Sequence, residues 1–200
     1  MAEPELYHEE NISKSKETRF PGEEGIWVFV LGDMVVFALF FCVFLDVRNE
    51  DVELFQLSKL KLNLHFGMLN TILLLISSWF VACSIAAFRR RDSLGCQGAM
   101  GAALVCGVAF VVVKYFEWNE KLAAGLTLQT NDFFTLYYVF TGIHLVHLLV
   151  GVGILGYLLF SLSRSGLESV TDMTFESSAT YWHMVDLLWI LIFPLIYLLP

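Results

Sequence analysis

The stretch GIWVFVLGDMVVFALFFCVFL, residues 25–45, decides the fold of this chain. It is apolar almost throughout and can cross the hydrocarbon of a bilayer, since a transmembrane helix needs roughly 20 such residues. One carboxylate, Asp33, interrupts it about eight residues in, which is roughly 12 Å along a helix. A charged group at that depth is costly unless it is neutralised or paired, so Asp33 is a candidate functional residue. The alternative is a neutral acid that only packs helices.

Long apolar runs recur in four more places along the chain. Hydrophobic residues make up 57% and charged residues 16%, and the mean hydropathy of +0.67 lies well away from that of a soluble domain. The sequence therefore predicts an all-α membrane protein with five transmembrane helices. The predicted spans cover residues 24–46, 66–88, 98–118, 133–160 and 177–199.

The first 20 residues differ from the rest, because they are polar and acidic. They contain no short apolar core followed by a small-residue cleavage site, so we expect a disordered tail and not a signal peptide. We divide the chain into this tail, 1–20, and a transmembrane domain, 21–200. The net charge of −8 argues against a nucleic-acid partner. The acidic residues of the tail include Glu3, Glu5, Glu9 and Glu10.

Basic residues predict the orientation of the helices in the membrane. Arg89, Arg90 and Arg91 close the second predicted span, and such residues are retained on the cytoplasmic side. With five spans, this places the amino terminus in the cytoplasm and the carboxy terminus outside.

Three polar side chains are expected at a similar depth near the cytoplasmic side. His183 and Asp186 share one face of the fifth span because they are spaced i, i+3. Counting inward, Asp186 lies at about the level of Asp33, so we expect these residues to meet. A histidine beside two carboxylates can hold them ionised or share a proton. Structural pairing and proton handling both remain open.

A second polar layer is expected toward the outside. Lys114 and Glu117 are also spaced i, i+3 and predict a local ion pair, with Lys114 snorkelling to the interface. His144 and His147 raise the possibility of a metal or haem ligand pair. A haem-binding bundle usually takes its histidines from two facing helices, so we expect these residues, and Asn70, to be polar helix-packing residues without a metal.

The order of these motifs resembles subunit III of the haem-copper oxidases over about residues 21–198. The first helix is similar to the Gly-rich start of that family, and LNLHFGMLNTILLLISSW (62–79) and FEWNE (116–120) resemble its second and third blocks. The strongest resemblance lies in FFTLYYVFTGIHLVHLLVG (133–151) and YWHMVDLLWILIFPLIYLL (181–199). So many rare residue types at fixed spacing are unlikely to agree by chance.

The resemblance implies a non-catalytic accessory subunit in a bacterial cytoplasmic membrane, bound beside a haem-containing catalytic subunit. Members of this family are described as holding ordered phospholipid in a cleft and supporting proton uptake, without binding haem or copper themselves. Asp33 stands where the family has a buried Glu. The five spans correspond to the last five of a seven-helix form, so we expect the lipid cleft to lack one wall or to obtain it from another subunit.

The partner itself stays open at this stage. The short form and the PGEEGIW start (21–27) resemble the NorE-type branch associated with nitric oxide reductase, so the partner reduces either oxygen or nitric oxide. Two other classes compete with the accessory subunit. One is an independent haem- or metal-binding membrane protein that uses His144 and His147, and the other is a small proton-coupled carrier built around Asp33.

Overall fold

The computed structural model describes residues 22–199, without the side chain of residue 24, and this part of the chain is helical. Five of its helices are long and apolar enough to cross a membrane, which confirms the predicted all-α class with five transmembrane helices. The acidic tail lies outside the described residues, and the orientation of the termini stays a prediction. The long helices are α1 (Glu24–Glu50), α3 (Leu64–Arg89), α4 (Ser93–Ala123), α5 (Asp132–Ser165) and α6 (Asp172–Phe193), and α2 (Val52–Lys59) is short. A 3-10 turn (Leu167–Ser169) precedes α6, and a π-helical turn (Pro194–Leu198) follows it.

Most of the long helices extend beyond the apolar runs that predicted them, because polar residues cap their first turns. Asn63, Asp92, Asn131 and Thr171 each accept a hydrogen bond from a backbone N–H at the start of α3, α4, α5 and α6. Such a side chain satisfies an amide that the helix leaves without a partner. Hydropathy identifies only the apolar middle of a span, so it places the helix ends too far inward.

The short helix α2 was not predicted. Its first turn is capped by Asp51, whose Oδ1 accepts from the Leu54 amide at 3.0 Å. Phe55 on its inner face lies between Phe44 and Phe133, with ring centroids 5.5 Å from each. The helix therefore packs across one end of the bundle, against α1 and α5.

The central helix of the bundle is α6, which contacts α1, α3 and α5. Its two tryptophans, Trp182 and Trp189, are fully buried. Trp182 lies between two glycines, since a Cβ added to Gly107 of α4 or to Gly151 of α5 would come within 2.8 Å of its indole ring. Close helix approach at small residues is typical of membrane proteins, where packing and not the hydrophobic effect drives association.

The first helix, α1, is the least enclosed of the five. The chain just before it is attached to α6, because the Gly22 amide donates to Glu176 Oε2 at 3.2 Å and the Glu23 amide donates to Ser177 Oγ at 2.9 Å. Farther along, its outer face is apolar and exposed, as expected of a helix that faces lipid or another subunit. This face includes Val28, Leu31, Val35 and Leu39.

Candidate functional site

Asp33 forms an ion pair across the α1–α5 contact. Its Oδ1 lies 3.2 Å from Nε2 of His147, and both side chains are largely buried. Nδ1 of the same ring lies 2.9 Å from the Ile143 carbonyl oxygen, which can only accept. Nδ1 therefore donates to that carbonyl, and the contact between Nε2 and Oδ1 is an ion pair when the imidazole is also protonated at Nε2. This pair is a candidate site for proton exchange.

The expected meeting of Asp33 with His183 and Asp186 is wrong. Within residues 22–199 the ion-pair partner of Asp33 is His147, and its Oδ2 is buried without a hydrogen bond. Counting residues gives the depth of a side chain but not its direction around the helix axis. Phe37, one turn along α1, packs edge-on against the His147 ring at 5.8 Å, so this face of α1 is directed at α5.

His183 and Asp186 share a face of α6, as their spacing predicts, but they are only loosely paired. Nδ1 of His183 lies 4.0 Å from Oδ2 of Asp186 and 2.7 Å from Oγ of Ser78 on α3. Asp186 is buried, and neither carboxylate oxygen has a hydrogen-bond partner in the described part of the chain. The primary partner of His183 is therefore a serine on α3, which the spacing of residues on α6 did not predict.

The Lys114–Glu117 ion pair lies in the interior of the helix bundle, not at the membrane–water interface. Nζ is 3.0 Å from Oε2, and both side chains are 0% exposed, so the expected snorkelling of Lys114 is wrong. Two tyrosine hydroxyls donate to Oε1 of Glu117, from Tyr137 at 2.7 Å and from Tyr197. Nζ also lies 3.2 Å from the Tyr197 hydroxyl and 5.0 Å from the ring centre of Trp189. These groups replace the water that snorkelling would reach.

The remaining predicted polar residues are buried between helices. His144 packs beside Phe110 and Trp189, with ring centres 5.7 and 5.1 Å away. Both of its nitrogens, and both amide atoms of Asn70, lack hydrogen-bond partners among residues 22–199. His144 thus faces α4 and α6, whereas His147 faces α1, so the two imidazoles do not converge. Over the same residues, no three His, Cys, Asp or Glu side chains form a group that could hold a metal ion.

An open groove of about 460 Å³ lies between α1, α5 and α6. Its walls are largely apolar, and the hydroxyl groups of Ser177 and Tyr181 lie on the α6 side. Sequence reasoning did not predict a groove at these residues. Gly153 of α5 borders it and would meet nothing within 4 Å if it carried a Cβ, so the groove is open at this position.

Comparison with known proteins gives consistent matches. Residues 19–199 match the protein family described as Cytochrome c oxidase subunit III. The chain is 31% identical to cytochrome c oxidase subunit 3 of Synechocystis sp., over 88% of this chain and 74% of that protein. It is 29% identical to quinol oxidase subunit 3 of Bacillus subtilis, over 88% and 85% respectively. It is also 30% identical to heme-copper oxidase subunit I+III of Aeropyrum pernix, over 86% of this chain but only 22% of that longer protein.

Proposed function

Because this chain belongs to the cytochrome c oxidase subunit III family, we propose that it is a non-catalytic accessory subunit of a haem-copper terminal oxidase. The observation that carries the proposal is the family match over residues 19–199, which includes all five candidate membrane spans. The Aeropyrum pernix relative is named as subunit I+III, so a single chain of that protein is named for both subunits. By analogy, this chain binds beside a separate catalytic subunit.

The proposed partner reduces oxygen, since the relatives compared above are all named as oxidase subunits. The nitric oxide reductase branch stays a prediction from the sequence. A bacterial cytoplasmic membrane is the proposed location of this multi-pass protein, because bacterial relatives are among the matches. No specific observation favours an independent haem- or metal-binding protein or a proton-coupled carrier. His144 and His147 face different helices, and Asp33 is paired with His147.

We propose two roles for this subunit within the complex. The Asp33–His147 pair takes up and releases a proton and so supports proton uptake by the catalytic subunit. The groove between α1, α5 and α6 holds an acyl chain of a phospholipid, since its walls are apolar and its volume lies within the ~300–1,000 Å³ range of ligand sites. Both roles follow expectations that the family resemblance raised.

Purification of a tagged chain from its native membrane in mild detergent tests the proposal. We expect a haem-containing protein to co-purify in a fixed ratio, with the absorption spectrum of an oxidase. The same chain expressed without its partner provides the control, and we expect it to fold without stoichiometric haem, copper or iron. A stoichiometric haem spectrum in the isolated chain would overturn the accessory role, and so would the absence of any haem protein from the native preparation.

A further inference from the structure

One face of the bundle carries an exposed histidine inside the membrane. His183 lies on α6, and its side chain is 41% exposed. Leu187 continues the same side of the helix and is 45% exposed. On α3, Leu75 and Ala82 lie one turn before and after Ser78 and are exposed as well. We call these five residues the His183 face.

This face lies deeper in the membrane than the level at which polar side chains contact water. Glu176 of α6 pairs with Arg89 at the end of α3, with Oε1 and Nη2 2.9 Å apart, and the Arg89 side chain is 67% exposed. This ion pair marks the polar end of both spans. His183 follows Glu176 by about two helical turns, so it lies roughly 10 Å deeper along the axis at 1.5 Å per residue. A lysine can extend over that distance, but an imidazole is too short to snorkel.

One ring nitrogen of His183 is hydrogen-bonded, and the other has no partner in the described part of the chain. Nδ1 lies 2.7 Å from Ser78 Oγ, whereas Nε2 has no hydrogen bond to any residue between 22 and 199. A polar ring nitrogen left unbonded in hydrocarbon is unfavourable, because no water is present to replace the missing partner. The acyl chains that cover the surfaces of other spans contain no hydrogen-bonding group at this depth. The position therefore favours contact with a polar group.

We propose that the His183 face binds a transmembrane helix of the catalytic subunit, and that Nε2 of His183 forms a hydrogen bond with a polar group on that helix. The Ser78 hydroxyl and Nδ1 share a hydrogen bond, so the exposed Nε2 is the donor in one ring tautomer and the acceptor in the other. A hydroxyl group on the partner helix fits both tautomers, because it can donate and accept. Ala82 leaves room for the partner backbone, as small residues do at membrane helix contacts.

The occupant is a different protein and not a second copy of this chain. A two-fold symmetric contact would bring the same face together from both sides and oppose two imidazole edges of the same tautomer, which cannot bond each other. The assignment rests on the proposed function, because it identifies the surface with which this subunit binds its catalytic partner. It concerns a different side of α6 from the groove, which lies toward Tyr181 and α5.

Variants at His183 test the hydrogen bond in the intact complex. We expect His183→Leu to lower the amount of haem protein retained per tagged chain under detergent washing about threefold or more, as for the loss of one interhelical hydrogen bond. His183→Gln keeps an amide that can donate or accept near the position of Nε2 and should retain most of the partner. Tyr115→Leu is the matched control, because Tyr115 is an exposed polar aromatic residue on α4, away from this face. Retention that is unchanged in His183→Leu overturns the hydrogen bond.

Photo-crosslinking tests the face itself without altering His183. A benzoylphenylalanine at position 187 should crosslink to the catalytic subunit, and one at the exposed position 105 on α4 should not. Crosslinking from position 187 to lipid alone, or to a second copy of this chain, overturns the inference. If the wild-type chain retains its haem partner but crosslinks to it only from position 105, this inference fails and the proposed function stands. If the wild-type chain has no haem partner, the proposed function itself fails.

Discussion

Breaking the buried Lys114–Glu117 pair from either side should destabilise the bundle, and neutralising both groups together should cost far less. Glu117→Gln keeps the shape of the side chain and an acceptor for the tyrosines, but it leaves the Lys114 ammonium buried without a counter-charge. Lys114→Met leaves a buried carboxylate that still accepts from Tyr137 and Tyr197. The double variant contains neither charge, so its remaining hydrogen bonds are neutral.

The magnitudes follow from what each variant leaves unpaired. Both side chains of the pair are 0% exposed, and removing one partner of such a pair costs about 3–5 kcal/mol, which we expect for Glu117→Gln. Lys114→Met should cost about 2–3 kcal/mol, since the carboxylate loses one charged hydrogen bond and keeps two hydroxyl donors. We expect the double variant to cost about 1–2 kcal/mol, because no charge is left buried alone. The two residues should therefore be coupled by about 3 kcal/mol or more.

The free energy of unfolding can be measured by titrating detergent micelles of the purified chain with dodecyl sulfate and following tryptophan fluorescence. Trp189, whose ring centre lies 5.0 Å from Lys114 Nζ, reports on this region directly. Arg89→Gln is the control, because Arg89 pairs with Glu176 at 2.9 Å but the two side chains are 67% and 26% exposed, and such pairs contribute less than about 1 kcal/mol. Additive effects of the two single variants would refute the reasoning, since they would mean that the charges do not depend on each other.

Three further predictions concern other parts of the bundle. Gly151→Ala should destabilise the protein by about 1–3 kcal/mol in the same titration, because its Cβ would lie 2.8 Å from the Trp182 ring. Gly153→Ala is its control and should leave the free energy of unfolding unchanged, because a Cβ at Gly153 would meet nothing within 4 Å. Asp33→Asn should leave the amount of co-purified haem protein unchanged but slow sustained oxygen consumption by the complex. An unchanged rate of oxygen consumption would indicate that Asp33 only packs helices. Asn131→Ala removes the cap of α5 and a 2.9 Å hydrogen bond to Ser58 of α2, so it should lower the free energy of unfolding by about 1–2 kcal/mol. The amides of α2 should also lose protection in hydrogen exchange, and full protection would contradict this role.

Much of the architecture could be predicted from the sequence because the membrane allows few solutions. A backbone that crosses hydrocarbon must satisfy its own hydrogen bonds, so each long apolar run becomes a helix. The residues of α2 escaped prediction, since a short amphipathic segment between charged residues has no such constraint. Its helical form depends on the contact of Phe55 with Phe44 and Phe133, which lie on other helices.

The candidate site was predicted in composition and in the pairing of residues on one helix, but not in the contacts between helices. The spacing of Lys114 and Glu117 correctly predicted their ion pair, because residues three apart on a helix are neighbours wherever the helix lies. Burial of this pair depends on Tyr137 and Tyr197, which come from α5 and the carboxy-terminal turn. No local pattern connects them.

Asp33 shows most directly where the two kinds of information separate. Its place in an apolar run determined from the sequence alone that it is an intramembrane carboxylate in need of a partner. Only the tertiary structure decided that the partner is His147, because the rotation of α1 about its axis is set by how its side chains pack against α5 and α6. Depth along a helix is a property of the sequence, whereas direction around it is a property of the assembled bundle.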